Sequence, residues 1–201
     1  MSGLNDNLTI VNLAKMDNKV KSEAIEVFVD SFYELYTSIS KDKRVLKEFF
    51  LASFDYNLAY AAIEDNKVVG FLAIASSKER SLKFNKIKCI ELFGKIMGTI
   101  IYHQMTSILG KPNLENEKDI GIDYLATDEN YRGKGIASKM LEYACAELCY
   151  DECFIDVAAN NIGAKRLYEY VGFKEYSQEH SLSVRLLGFG HIIRMKKTAK
   201  N

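Results

Sequence analysis

The chain predicts a mixed α/β (α+β) domain in which helices cover a sheet. Segments with apolar residues at every second position, such as "LTIVNL", alternate with segments in which they recur every third or fourth. Its 201 residues suffice to bury a core, and 48% apolar and 27% charged residues are ordinary for a globular protein. The stretch "ATDENYRGKGIASKM" (126–140) adds a third sign, two glycines where a strand gives way to a helix.

Residues 8–13 alternate as a short strand. Over 19–40 the apolar positions Ala24, Ile25, Phe28, Phe32 and Leu35 mark a helix, and 42–54 continue as a second. "LAYAAIEDNKVVGFLAIAS" is a hairpin with its turn at Glu64, Asp65, Asn66 and Lys67. Residues 77–117 fit this alternation less well. Ile87, Ile90, Phe93, Met97, Ile100, Ile101 and Ile108 form an apolar helix stripe over 86–109, read as a helical insertion packed on the core or closing over a cleft. Lysines and a glutamate interrupt it, so it falls short of the roughly 20 apolar residues that span a bilayer. Gly94 and Gly98, four apart, suit a close backbone approach, and "GKPNLENEKD" is a loop. A strand over 120–127, a helix over 134–150, the strand "CFIDVAA", a helix over 162–171, a strand from about Phe173 and the strand "GHIIRMKK" complete one domain over 1–201.

Twenty-seven basic and 27 acidic residues cancel, so any anion site is local and nucleic-acid acceptors are disfavoured. The start "MSGLNDNLTI" lacks a basic stretch followed by an apolar one, which with four cysteines read as reduced implies a cytoplasmic protein. Cys145, Cys149 and Cys153 lack a C-x-x-C pair and read as core, so no metal is expected.

A helix beginning near Lys134 exposes backbone N–H groups with no intrahelical partner. Gly133 and Gly135 keep Cβ atoms away from those amides, those of Ile136 and Ala137 included, and Arg132 and Lys134 add charge-assisted donors. Together they make a diphosphate cradle. A dinucleotide fingerprint would use Gly133 and Gly135 with Asp156 as the ribose acid. Ser138 in place of the third glycine and the strand's late position speak against it.

The segment "IDYLATDENYRGKGIASKMLEYA" resembles the coenzyme A-binding segment of the GCN5-related N-acetyltransferases (GNAT), Q/R-x-x-G-x-G/A, with Gly133 and Gly135 at the glycine positions and Asn130 where Gln or Arg is usual. "NNIGAKRLYEYVGFK" resembles the family's later helix, N-x-x-A-x-x-L-Y-x-x-x-G-F, through Asn161, Ala164, Leu167, Tyr168, Gly172 and Phe173. The resemblance covers about 119–176. It implies a mostly antiparallel central sheet with a splayed central strand pair, and acetyl transfer from acetyl-CoA to a primary amine of a small molecule or peptide by direct attack. It also implies that Leu125 and Thr127 pair through their backbones with the pantetheine arm, and that the Leu125 N–H polarises the thioester carbonyl. Asn161 caps its helix and bonds the same arm.

Tyr168 follows as the acid for the leaving thiolate, since a phenol with pKa near 10 is protonated at neutral pH. Asp123 shares strand parity with Leu125 and Thr127, which makes it a candidate base for the amine; Asp128 and Glu129 sit in the turn. A non-catalytic acyl-CoA sensor or scaffold of the same fold is the alternative, and a homodimer stays open.

Overall fold

The computed structural model describes residues 7–109, 114, 116–148, 150–180 and 190–198. Seven strands form one sheet: β1 (Thr9–Asn12), β2 (Ala59–Glu64), β3 (Lys67–Ser76), β4 (Ile120–Thr127), β5 (Glu152–Ala158), β6 (Lys174–Glu179) and β7 (Ile192–Thr198), in the order β1-β2-β3-β4-β5-β7-β6. Every neighbouring pair is antiparallel except β4 with β5, which run parallel. The expected mixed, mostly antiparallel sheet flanked by helices is therefore present.

Helices α1 (Asn18–Tyr36), α2 (Lys43–Leu51), α3 (Lys86–Phe93) and α4 (Lys95–Leu109) contribute to a core on one face of the sheet, here called the front. Helices α5 (Ile136–Glu147) and α6 (Ile162–Val171) contribute to a core on the back. The front core is aromatic at its centre. Phe28 packs against Phe50, Phe54, Phe71 and Tyr124 with ring centroids 4.8–5.4 Å apart, all close to edge-on.

Side-chain oxygens start the helices: Asp17 accepts from the Val20 N–H (2.9 Å), Asp42 from the Arg44 N–H (2.8 Å) and Asn85 from the Ile87 N–H (2.8 Å). The β2–β3 hairpin turns at Asp65 and Asn66, whose φ of 51° and 62° is the left-handed pair that a two-residue hairpin requires. α1 breaks at Phe32, where φ −112° and ψ 15° leave the helical region.

The β4 strand is irregular at one point. Ala73 of β3 faces Tyr124 and the next residue, Ile74, faces Ile122, so Asp123 is an extra residue without a partner. Before this bulge Ile120 and Ile122 face the back core; after it Tyr124 and Ala126 face the front and Leu125 the back. The parity shared by Asp123, Leu125 and Thr127 in a regular strand therefore does not hold.

The apolar run over 86–109 is helical but divides into α3 and α4 at Gly94, whose φ of 78° suits glycine. Cys89, Ile101 and Met105 are buried, whereas Ile87, Met97, Ile100 and Ile108 of the expected stripe are exposed. Gly98 is the close-approach position: a Cβ there would stand 2.3 Å from the Cys89 carbonyl oxygen. Pro112, Cys149 and the segment 181–189 lie outside the described residues. Gly98→Ala should force α3 and α4 apart and destabilise the protein by about 1–3 kcal/mol, read as a lower urea midpoint at unchanged slope.

Candidate functional site

The parallel pairing of β4 and β5 covers Ile120↔Cys153, Gly121↔Phe154 and Ile122↔Ile155, and stops there. The Asp128 N–H donates to the Val69 carbonyl of β3 at 3.0 Å. Along a strand the N–H groups alternate in direction, so those of Leu125 and Thr127 turn away from β3, toward the gap beyond Ile122. A cavity of about 370 Å³ occupies this gap. Leu125, Asp123, Asp156, Ala137, Asn161 and Tyr168 contribute to its wall, and Phe32 and Leu35 reach it from α1.

Two of these residues come from α6. Asn161 is its N-cap and accepts from the Ala164 N–H at 3.1 Å, while Gly172, with φ 101°, ends the helix in the left-handed conformation. This spacing sets Tyr168 one turn from the end, 8% exposed, against Phe173. Its hydroxyl makes no hydrogen bond among the described residues, and burial pushes its pKa up to about 12. It is a proton donor that stays protonated across the physiological range.

β4 runs into a loop of defined geometry. Asp128 ion-pairs with Lys67 (2.9 Å) and accepts from the Asn130 N–H (2.9 Å) and the Asn130 amide (3.1 Å). Asn130 is thus turned inward, onto its own loop. The Tyr131 ring lies under two ammonium groups, Lys134 at 4.2 Å and Lys67 at 4.8 Å from its centroid. Gly133 and Gly135 hold φ of 77° and 80°, so both glycines are required by the backbone itself.

A Cβ on Gly133 would meet no atom within 4 Å; the space above it is open. α5 starts at Ile136, two residues later than the spacing predicts, and its N-cap Gly135 brings no side-chain acceptor to the first N–H groups. The Ile136 side chain is buried in the back core, which leaves only its amide for a ligand. Bare amides at a helix start beside Lys134, and free strand amides along a cavity, match the needs of a diphosphate joined to an amide-containing arm.

The structure brings Leu125, Asp123, Ala137, Asn161 and Tyr168 to one cavity and leaves Gly133, Lys134 and Gly135 on the loop after β4. Arg132 lines a different cavity of about 430 Å³, with Glu26, Asp30 and Lys43 among its walls. That space is the larger, but its charges are largely paired, as in Lys43–Asp30 at 2.6 Å.

Asp123 is not free. Its carboxylate accepts from Arg80 (2.6 Å) and from the Ser81 N–H (3.1 Å) and hydroxyl (2.8 Å), and its side chain is only 6% exposed.

Sequence reasoning missed the Tyr36–Tyr124 hydroxyl pair (2.9 Å), the second of which lines the cavity, and it missed Arg80, Arg194 and Asp156 as neighbours. Burial pushes Tyr36 up to about 12, and burial with the neighbouring Tyr36 raises Tyr124. Asp156 was legible as the polar alternate of "CFIDVAA", but Arg80 sits in a loop with no periodic signal.

Residues 22–173 match the sequence model of the acetyltransferase (GNAT) family. Among solved structures, the chain is similar to a protein from Pyrococcus horikoshii OT3 (TM-score 0.60, 19% identity, 96% of this chain and 99% of that one). It is also similar to an N-acetyltransferase from Staphylococcus aureus Mu50 (TM-score 0.58, 16% identity, 94% and 100%). A GNAT family acetyltransferase from Elizabethkingia anophelis with acetyl-CoA bound gives TM-score 0.55 at 13% identity, over 96% and 99%. No curated protein sequence matches.

Asp123→Asn should leave the Arg80 guanidinium without its counter-charge and cost about 2–3 kcal/mol of stability, measured by urea unfolding; an unchanged midpoint would show that the ion pair is not structural.

Proposed function

The chain belongs to the acetyltransferase (GNAT) family, and from that premise we propose that it moves the acetyl group of acetyl-CoA to a primary amine by direct attack. The observation that carries this reading is the pair of β4 amides, Leu125 and Thr127, directed into a gap that also holds the unbonded hydroxyl of Tyr168. The same reading takes residues 1–201 as one domain with α3 and α4 as an insertion. Free thiols at Cys89, Cys145 and Cys153 support a reducing, cytoplasmic setting. No described helix is long and apolar enough to cross a membrane, and no metal-holding group of His, Cys, Asp and Glu occurs among the described residues.

Acetyl-CoA supplies an activated acetyl group on a thioester. Gly133, Lys134, Gly135 and the amides of Ile136 and Ala137 would hold its diphosphate. Thr127 and Asn161 would hold its amide-bearing arm, with Arg132 as an outer cation. The Leu125 N–H would stabilise oxyanion charge at the acetyl carbonyl, a contribution of about 10²–10³ in rate for such donors. Tyr168, held neutral by burial, would give its proton to the departing sulfur. Asp123, tied to Arg80, is better suited to shaping the slot than to accepting a proton.

A non-catalytic acyl-CoA sensor is the second reading, favoured by Asn130 turning inward where the family norm is a Gln or Arg contact. Release of free thiol from acetyl-CoA across an amine panel separates the two. Catalysis predicts release above buffer hydrolysis, and a sensor predicts tight binding without it.

Tyr168→Phe should lower turnover by about 10²-fold or more with acetyl-CoA affinity unchanged by calorimetry; normal turnover would reduce Tyr168 to packing. Gly133→Asn, a residue that tolerates left-handed backbone, should fold yet bind acetyl-CoA at least about tenfold more weakly, as a side chain fills the open space over the amides. Equal affinity would remove the diphosphate from this loop.

A further inference from the structure

A second cavity, of about 240 Å³, adjoins the slot, and Asp123 and Asp156 line both. Arg80 and Arg194 line it as well. One nitrogen of Arg80 is tied to Asp123 and one of Arg194 to Glu179. The Nε atoms of both are buried with no partner. A guanidinium carries five N–H donors, so each arginine keeps donors unspent among the described residues. Both arginines line the cavity, and their terminal nitrogens carry more N–H donors than the one bond each makes, which suits an oxygen that arrives with a ligand.

Asp156 lies across β5 from Arg194 of β7, in register. Its carboxylate takes no hydrogen bond or ion pair among the described residues, and the residue is exposed. Although it is exposed, the protein around it removes part of the carboxylate's hydration and raises its pKa. Arg194 and Arg80 oppose that rise, while Glu179 and Asp123 add to it. Of the charged side chains that line the cavity, Asp123 is already bonded to Arg80, which leaves Asp156 as the carboxylate there able to meet an ammonium group.

We propose, resting on the acetyl-transfer reading above, that Asp156 takes the proton of the acceptor's ammonium group while Arg80 and Arg194 hold the oxygen of a carbonyl or carboxylate attached to the carbon that bears the nitrogen. The acceptor is then an α-amino acid or the α-amino end of a peptide. In the transfer the nitrogen–acetyl carbon bond forms and the carbon–sulfur bond breaks. One ammonium proton passes to Asp156 and on to solvent. Tyr168 protonates the sulfur, and a second proton from nitrogen restores its hydroxyl. The products are the amide, the free thiol and one released proton.

The test is initial-rate kinetics with acetyl-CoA and three acceptors: alanine, an alanyl dipeptide, and putrescine, which has amines but no oxygen. Alanine or the dipeptide should be acetylated and putrescine should not. The first two arms distinguish a free amino acid from a peptide end. Asp156→Asn should slow the dipeptide reaction about tenfold at pH 7, where about a tenth of an α-amine of pKa near 8 is neutral, and the deficit should close above pH 8. Arg194→Lys keeps the charge toward Glu179 but lacks the planar set of terminal N–H donors, and should raise the acceptor KM about tenfold with kcat nearly unchanged.

Calorimetry should give both variants wild-type affinity for acetyl-CoA. Putrescine used as well as the dipeptide, no acetylation of either α-amino acceptor, a wild-type pH profile in Asp156→Asn, or an unchanged KM in Arg194→Lys would each overturn the proposal while acetyl-CoA binding stands. Absence of acetyl-CoA binding in the wild type would overturn the transfer reading and this one with it.

Discussion

The two faces of this protein meet where β4 and β5 stop pairing, after Ile122 and Ile155. Backbone amides inside a sheet are normally spent on the neighbouring strand, and a gap exposes them at a cost. Here the gap coincides with the Asp123 bulge, and bulges bend a strand and raise its local twist. The bulge is pinned by Arg80 and Ser81, which consume both carboxylate oxygens of Asp123. A loop far from the strand in sequence thus holds the irregularity that opens the slot.

The sheet then divides the chemistry between its sides. The back contributes α5 and α6, hence the bare helix start, Asn161 and Tyr168, whose rigidity comes from a core of Met140, Leu141 and Phe173. Gly70 makes room for that core, since a Cβ there would stand 2.8 Å from the Met140 sulfur. The front contributes α1 and its aromatic cluster, which carries the Tyr36–Tyr124 pair to the slot wall. The wall of the slot is accordingly drawn from two different cores.

Elements with strong local signals were legible in the sequence. The Asp-Asn hairpin turn, the aliphatic strands, the Asn161 cap and Gly172 each follow from local chemistry that the tertiary fold leaves intact. Gly133 and Gly135 were legible as a turn and as a bare helix start, though both roles use the same positive φ and the sequence does not separate them. Parity places Asp123 only in a regular strand, and the one-residue bulge there carries no signature of its own in "IGIDYLAT". Asp156 shows as a polar alternate of its strand, but Arg80, Asp156 and Arg194 come together across long sequence separations, so no local pattern announces that they meet. The break at Gly94 was overlooked because the apolar period on either side of it is nearly continuous.

The chain has twelve tyrosines and no tryptophan, so its intrinsic ultraviolet emission is that of phenol rings alone. Tyr124 and Tyr168 both border the slot, and Tyr36 is bonded to the first of them. Filling or emptying that slot changes the surroundings of fluorophores already in place, and no brighter indole masks the signal. The protein carries a built-in optical probe of its own cleft, with no label to attach.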